Sequence, residues 1–472
     1  MEQIKRLFLI TSSCVPFSFI VKYFSGFSVK IDSFLRIKSR GVNIVNKLAG
    51  RQWINNQDND IINSKVKKVP AIIDNICQRC GQVVIYRLPT GHKYCHSCIG
   101  LGRVSENDFL CRMSRVGDAV KNENHLLTWK GDLTDRQAKV SADLLHALQN
   151  NQDHLVHAVT GAGKTEMLFK AVEYFLQQGK YVALATPRLD VVNELYPRMC
   201  RAFANTKIGK YHGKMAQDPD NEPFIICTTH QLLKYYQAFD LIIIDEVDAF
   251  PYVNNPMLYY GAKNAIKPTG QTFYLTATPS KDMLTKVKNG EMGYSLLQQR
   301  FHGGLLAVPE EYLFWRKYIS GESLHPFLIK VLNEIINSGK PLLVFVPRIA
   351  ELGLYQTILQ KKYSQLVIAS VHSSDKNRQQ KVEQFRNREI SILLTTTILE
   401  RGVTFPGVQV IVIEADDAIY TTAGLVQIAG RVGRAATDQV GRVIFCYHHY
   451  TKALKEAKKQ ILEMNHATMS FM

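Results

Sequence analysis

From about residue 126 onward, short apolar runs alternate with stretches long enough to be helices. Five runs, 154–160, 181–187, 223–229, 240–246 and 272–278, form a first set; 341–347, 365–371, 390–396, 408–415 and 441–447 form a second. Asp240-Leu-Ile-Ile-Ile-Asp-Glu246 is typical: apolar and β-branched without alternation, as expected of a strand buried on both faces. Strands of this kind separated by helix lengths predict a parallel sheet covered by helices on both sides, and two sets predict two α/β domains in tandem. The stretch 300–325, with Gly303, Gly304 and Pro309, is the expected connection between them.

Chemistry concentrates where these strands end. After the first run, Gly161-Ala-Gly163 breaks the apolar pattern and Lys164-Thr165 opens a helix through Met167, Leu168 and Ala171. Strand, glycine turn and helix is the setting of a phosphate loop, in which backbone N–H groups and the positive helix end face an anion. Lys164 is placed to reach the β- and γ-phosphates of ATP, and Thr165 to offer its hydroxyl to Mg²⁺. Ala158 stands where the strict loop pattern has its first glycine. The run 240–246 ends in Asp245 and Glu246; strand C-termini in open α/β sheets are where ligands sit. Asp245 is the expected Mg²⁺ partner and Glu246 the group that orients or deprotonates the attacking water.

Other strand ends carry weaker signals. Thr134-Asp-Arg-Gln137 precedes the phosphate loop by a helix length, which makes Gln137 a candidate adenine contact. Ala185-Thr-Pro-Arg188 and Thr228-Thr-His-Gln231 are candidates for a nucleic-acid backbone, and Thr276-Ala-Thr278 for coupling hydrolysis to strand binding. In the second set, Thr395-Thr-Thr397 and Glu400-Arg-Gly-Val-Thr404 follow a strand, and Gln427, Arg431 and Arg434 are expected on a helix from Thr422 to Ala435. Arg431 and Arg434, three apart on such a helix, would share a face. Arginines delivered from a second lobe stabilise γ-phosphate charge only when the lobes close, which couples hydrolysis to domain movement.

Before residue 126 the informative residues are cysteines. Cys77-x₂-Cys80 and Cys95-x₂-Cys98 are separated by fourteen residues, a spacing that suits a Cys₄ zinc site. Four thiolates leave no open position, so Zn²⁺ here would be structural; His92 and His96 are close enough in sequence to be alternative ligands. Arg79, Arg87, His92, Lys93 and Arg103, interleaved with Tyr86 and Tyr94, suit phosphate contact and base stacking, or simply a basic surface.

Composition adds two constraints. The formal net charge of +17 over 472 residues favours a polyanionic partner. The odd count of nine cysteines with paired CxxC spacing favours a reducing compartment over a disulfide framework. Near the N-terminus, Lys5-Arg6 precede an apolar stretch from Leu7 to Val21, but Pro16 interrupts it and no clear cleavage site follows. The expectation is a poorly ordered extension on a cytoplasmic protein.

This ordered set of motifs resembles superfamily 2 helicases over roughly 126–450. Leu48-Ala-Gly-Arg-Gln52, the four cysteines, Asp245-Glu-Val-Asp248, Arg300-Phe-His302 and Glu400-Arg-Gly-Val-Thr-Phe405 extend the resemblance to the ComFA family over about 45–472. The resemblance implies two RecA-like lobes preceded by a small Cys₄ domain, the zinc domain at 46–125 and lobes at 126–305 and 306–472; the extension at 1–45 lies outside it. It implies a DNA-dependent ATPase that draws single-stranded DNA into the cytoplasm during competence. It further implies the membrane DNA-uptake channel and a phosphoribosyltransferase-like competence protein as partners, and a peripheral position at the inner face of the cell membrane. A homo-oligomer is compatible with it. A primosomal restart helicase shares the Glu-Arg-Gly-Val segment but carries an eight-cysteine insert between motifs. A nucleic-acid scaffold with a degraded ATPase is the reading from another class; Lys164, Thr165, Asp245, Glu246 and both arginines are present, which counts against it.

Overall fold

The computed structural model describes residues 48–55, 65–117, 119, 121, 125–213, 221–301, 303–433 and 441–469. The N-terminal extension, His302 and Arg434 lie outside the described residues.

The cysteine module is built on strands β1 (Arg51–Asn55), β2 (Lys67–Pro70) and β7 (Phe109–Met113), antiparallel in the order β1-β7-β2. Between β2 and β7 lie two small hairpins, β3 (Ile72–Ile73) with β4 (Ile76–Cys77) and β5 (Tyr86–Arg87) with β6 (Lys93–Tyr94). A 3₁₀ turn, His96–Leu101, follows them.

The first large sheet contains β8 (His154–Ala158), β9 (Val182–Thr186), β10 (Ile208–Tyr211), β11 (Phe224–Thr228), β12 (Phe239–Asp245), β13 (Ile266–Thr276) and β14 (Gly293–Leu297). Its order is β10-β11-β9-β12-β13-β8-β14, and every neighbouring pair is parallel. The second comprises β15 (Glu310–Leu313), β18 (Leu342–Phe345), β19 (Ile368–Val371), β20 (Ile392–Thr395), β21 (Gln409–Val412) and β22 (Val443–Tyr447), in the parallel order β15-β22-β21-β18-β20-β19. A short hairpin, β16 (Ile319–Ser320) with β17 (Ser323–Leu324), follows β15.

Each predicted run contains a strand. The edge strands β10, β14 and β15 are additional: Ile208-Gly-Lys-Tyr211, Gly293-Tyr-Ser-Leu-Leu297 and Glu310-Glu-Tyr-Leu313 mix polar residues or glycine with apolar ones, as partly exposed edges do. The connection expected over 300–325 is shorter, because β15 and the hairpin already belong to the second sheet's side of the chain. One apolar cluster runs from Val140, Val172 and Phe203 in the first lobe to Phe345, Val410 and Ile461 in the second. A separate cluster joins the four cysteines to Ile225, Phe239 and Ile244 of the first sheet.

Candidate functional site

The phosphate loop forms because β8 ends at Ala158 and two glycines then take left-handed backbone, Gly161 at φ 84° and Gly163 at φ 73°. A Cβ on Gly163 would stand 2.3 Å from Gln137 Nε2, so this position needs glycine for space as well as conformation. Gln137 is held from two sides. Its backbone N–H donates to Thr134 Oγ1 (3.4 Å), its Oε1 accepts from the Thr134 N–H (3.0 Å), and its Nε2 donates to the Ala162 carbonyl (2.8 Å). Beside it is a cleft of about 140 Å³ lined by Thr134, Gln137, Ala162, Arg300 and Phe301. Lys164 and the buried Thr165 open the helix Lys164–Met167 directly after the loop.

Asp245 closes β12, and the Glu246 N–H donates to its Oδ1 (2.9 Å). Burial pushes the Asp245 carboxyl up to about 6; Lys164 opposes this rise, and the charges of Glu246 and Asp248 add to it. Glu246 has left-handed backbone at φ 55°, an uncommon conformation for a non-glycine residue. Its Oε2 is buried without a hydrogen bond, with Arg401 Nη1 3.9 Å away.

Asp248 is the hub that motif reading did not single out. Thr276 Oγ1 donates to its Oδ1 (2.8 Å) and Thr278 Oγ1 to its Oδ2 (2.7 Å). Arg401, from the second lobe, donates to both oxygens at 3.2 and 2.6 Å. Burial disfavours charge on Asp248, but Arg401 and the two hydroxyls outweigh it and hold the carboxyl well below the usual range. Burial likewise works against the Arg401 cation, and Asp248, Glu246 and Glu400 keep it protonated. Both partners lie in segments that the sequence singled out, Asp245-Glu-Val-Asp248 and Glu400-Arg-Gly-Val-Thr404, but nothing in the sequence paired them across 153 residues.

Other contacts also join the two lobes. Thr160 Oγ1 donates to Gln427 Oε1 (2.9 Å), which brings Gln427 to the phosphate loop. Arg300 donates to the Val432 (2.8 Å) and Gly430 (3.1 Å) carbonyls. Arg188 donates to the Thr397 carbonyl (3.2 Å) and pairs with Glu400, while Arg378 pairs with Asp190. Arg188, expected at a nucleic-acid backbone, therefore commits its guanidinium to the second lobe. The helix expected to reach Ala435 spans Thr422–Ala429 and ends at Gly430; Gly433 follows at φ 66°. Arg431 thus lies in a turn and not on the shared helical face. It is buried, and its Nε donates to the Glu400 carbonyl (3.1 Å).

In the N-terminal module all four cysteine sulfurs are buried and lie within 4.8 Å of one another. The Cys77–Cys98 and Cys80–Cys95 separations are 3.8 and 3.5 Å. A tetrahedron of thiolates about 2.3 Å from a zinc ion has edges of roughly 3.8 Å, so the donor set fits one Zn²⁺. His96 stacks on Tyr86, with ring centroids 4.9 Å apart, and neither it nor His92 joins the cluster. Arg79, read from sequence as part of a basic surface, is buried instead: its Nε donates to Cys98 Sγ (3.3 Å) and its Nη2 to the Cys98 carbonyl (3.0 Å). The module is joined tightly to the first lobe. Gln52 Nε2 donates to the Leu233 carbonyl (2.9 Å), Arg51 stacks 3.8 Å over Tyr235, and Arg115 stacks 3.8 Å over Tyr181.

Two lobes with a phosphate loop in one and bridging arginines from the other define a superfamily 2 helicase-type protein. Residues 130–281 match the family of the type III restriction enzyme res subunit, and 327–436 match the helicase conserved C-terminal domain. The structure is similar to Mycobacterium smegmatis helicase Lhr bound to ssDNA and AMP-PNP, with a TM-score of 0.53 at 16% identity over 71% of this chain and 50% of that one. It is similar also to S. cerevisiae Dbp5 bound to RNA and ADP BeF3, with a TM-score of 0.50 at 14% identity over 70% of this chain and 91% of that one.

The competence protein ComFA of Streptococcus pneumoniae is 39% identical over 424 residues, 88% of this chain and 97% of the relative. The protein of the same name from Bacillus subtilis is 39% identical over 397 residues, 82% of this chain and 85% of the relative. The chain belongs to the ComFA family of competence proteins. Among the described residues no helix is long and apolar enough to cross a membrane.

Proposed function

We propose that this protein is an ATP-driven translocase on single-stranded DNA that powers import of transforming DNA during natural competence. The observation that carries the reading is the cleft itself: the phosphate loop meets Gln427 through Thr160, and Asp248 of the Asp-Glu-Val-Asp segment meets Arg401 across the lobes.

In this reading Gly161, Ala162, Gly163 and Lys164 cradle the ATP phosphates, and Gln137 meets the adenine beside the adjoining cleft. Thr165 and Asp245 would hold Mg²⁺, which when bound would supply charge neutralisation for the phosphates. Glu246 accepts the proton of the attacking water, consistent with a carboxylate whose Oε2 is buried and accepts no hydrogen bond among the described residues. Arg431 and Arg434 stabilise the γ-phosphate charge that develops when the lobes are closed. Opening after hydrolysis breaks the Asp248–Arg401 bridge and shifts the grip on the strand. The four cysteines hold a structural Zn²⁺ that fixes the N-terminal module against the first lobe. The division at 45, 125 and 305, the channel and phosphoribosyltransferase-like partners, any homo-oligomer and a peripheral position at the cytoplasmic membrane face belong to the same proposal.

ATP turnover measured alone, with single-stranded DNA, with forked duplex and with RNA tests it. Stimulation by single-stranded DNA is expected. Stimulation chiefly by forked duplex would move the assignment to a restart helicase, by RNA to an RNA motor, and no turnover at all to a scaffold.

A further inference from the structure

Trp315 is 87% exposed, although Trp53 and Trp129 are both partly buried. A tryptophan this exposed leaves a large apolar ring in water and calls for a partner. Its neighbours give that partner's chemistry. Arg316 and Lys317 follow it, both exposed and without a hydrogen bond or ion pair among the described residues. The parallel pairing of β15 with β22 brings the segment after β22 alongside, with the Phe314 N–H donating to the Tyr447 carbonyl (2.8 Å) and Tyr318 stacked on His448 with ring centroids 4.6 Å apart. That second segment adds exposed His449, Tyr450 and Lys452. Two neighbouring carboxylates are engaged already: Asp416 accepts the His448 and His449 N–H groups at 3.2 and 3.0 Å, and Glu311 pairs with Lys458 and accepts from the Tyr450 hydroxyl at 3.1 Å.

The place of this cluster in the sheet matters as much as its composition. In a parallel sheet all C-terminal strand ends lie on one edge. Trp315 follows β15, and Glu400 and Arg401, which bridge to the first lobe, follow β20. The order β15-β22-β21-β18-β20 separates the two by four strand spacings, roughly 19 Å. We infer that Trp315, Arg316, Lys317, Tyr450 and Lys452 form a stacking platform for single-stranded nucleic acid at the outer end of the second lobe, continuous with the edge at the interlobe cleft. Aromatic faces take bases irrespective of sequence while the cations track phosphates. The platform rests on the reading of the protein as a single-strand motor and extends its track beyond the cleft.

The test is binding of fluorescent oligothymidylates of increasing length to the full chain, by anisotropy. In Trp315→Ala, affinity for long oligothymidylates should fall by roughly 5- to 100-fold, the effect expected of losing one base–aromatic stack. Affinity for oligomers too short to leave the cleft should stay unchanged, as should basal ATP turnover and thermal midpoint. Trp315→Phe should restore binding. Equal restoration by Trp315→Leu would replace stacking with simple apolar burial and overturn the proposal. So would undiminished binding of long oligomers by Trp315→Ala, which would leave the patch to a protein partner. If the wild-type protein itself binds no oligothymidylate, it is the single-strand reading that fails.

Discussion

Replacing Arg401 by alanine should open the lobes. The guanidinium lies 2.6 and 3.2 Å from the two Asp248 oxygens, and the paired side chains are 1% and 7% exposed. At an effective dielectric near 20, charges this close attract by roughly 5 kcal/mol, and much of that is offset by taking both out of water. Deleting one partner alone is worse than deleting both, because the other charge stays buried; such truncations cost about 3–5 kcal/mol. Asp248 would keep the Thr276 and Thr278 hydroxyls, which places the expected loss near the lower end, about 3 kcal/mol. The pair spans the two lobes, so the loss falls on the closed arrangement and shifts the closed-to-open ratio by roughly a hundredfold. Energy transfer between dyes on the two lobes, without nucleotide, reads this directly, and turnover should fall with it. A double-mutant cycle with Asp248→Asn isolates the coupling. A folded carboxyl held below its unfolded value contributes fully above the unfolded value and loses its contribution only as pH falls through the folded one, so closure should not vary between pH 5 and 8 on this account. Wild-type transfer efficiency in Arg401→Ala, or a coupling near zero, would refute the reasoning.

Glu246→Gln should bind ATP normally but reduce turnover by about 10²–10⁴-fold, the usual contribution of a positioned general base; single-turnover hydrolysis at near wild-type rate would remove Glu246 from that role. Elemental analysis should find one zinc per chain, and Cys77→Ser should lose it. Because the cysteines share an apolar cluster with the first sheet, that variant should also lower the thermal midpoint of the nucleotide-binding lobe, and an unchanged midpoint would show the module to be energetically separate. His154 is buried, donates to or accepts from Ser295 Oγ at 2.8 Å, and is pushed down by desolvation to about 4. Its ring is neutral in the fold, so the unfolded chain binds the extra proton between pH 4 and 6.5. Stability should therefore fall by about 3 kcal/mol as pH drops through that window, and His154→Gln should flatten the slope of denaturation midpoint against pH; an identical slope in the variant would show another group to be responsible.

The central strands were legible because burial on both faces forces continuous apolar runs, as in Leu241-Ile-Ile-Ile244. Edge strands were not, since Glu310-Glu-Tyr-Leu313 needs no such run to pair on one side only. The phosphate loop, the acidic pair and the cysteine pairs were legible because each is local: backbone conformation and a few neighbouring donors define it. What sequence concealed is contact between distant segments. Arg79 read as part of a basic surface and Arg188 as a nucleic-acid contact, and only the fold shows them turned inward, one to a cysteine sulfur and carbonyl, the other to Glu400. The helix ends at Ala429: Gly430 is crowded against Thr160, where a Cβ would stand 2.9 Å from the threonine Cβ, and Gly433 takes left-handed backbone at φ 66°, so the chain turns instead of running on to Ala435.

That crowding also says why the two lobes can act as one unit. Gly430 and Gly402 are two of the points where second-lobe backbone reaches the first lobe, at Thr160 and at Asp190 and Val191. Thr160 stands in the phosphate loop, and Asp190 lies in the helix Leu189–Ala202 that begins just after β9. Arg401, next to Gly402, bridges to Asp248 on the segment that also carries Asp245 and Glu246. A change at the nucleotide therefore has a short route of packed backbone and buried charge to the strand ends of both sheets, and those ends share one edge in each lobe. An arginine and a carboxylate buried to this degree are either paired or must be resolvated, which favours opening in one step over a graded loosening.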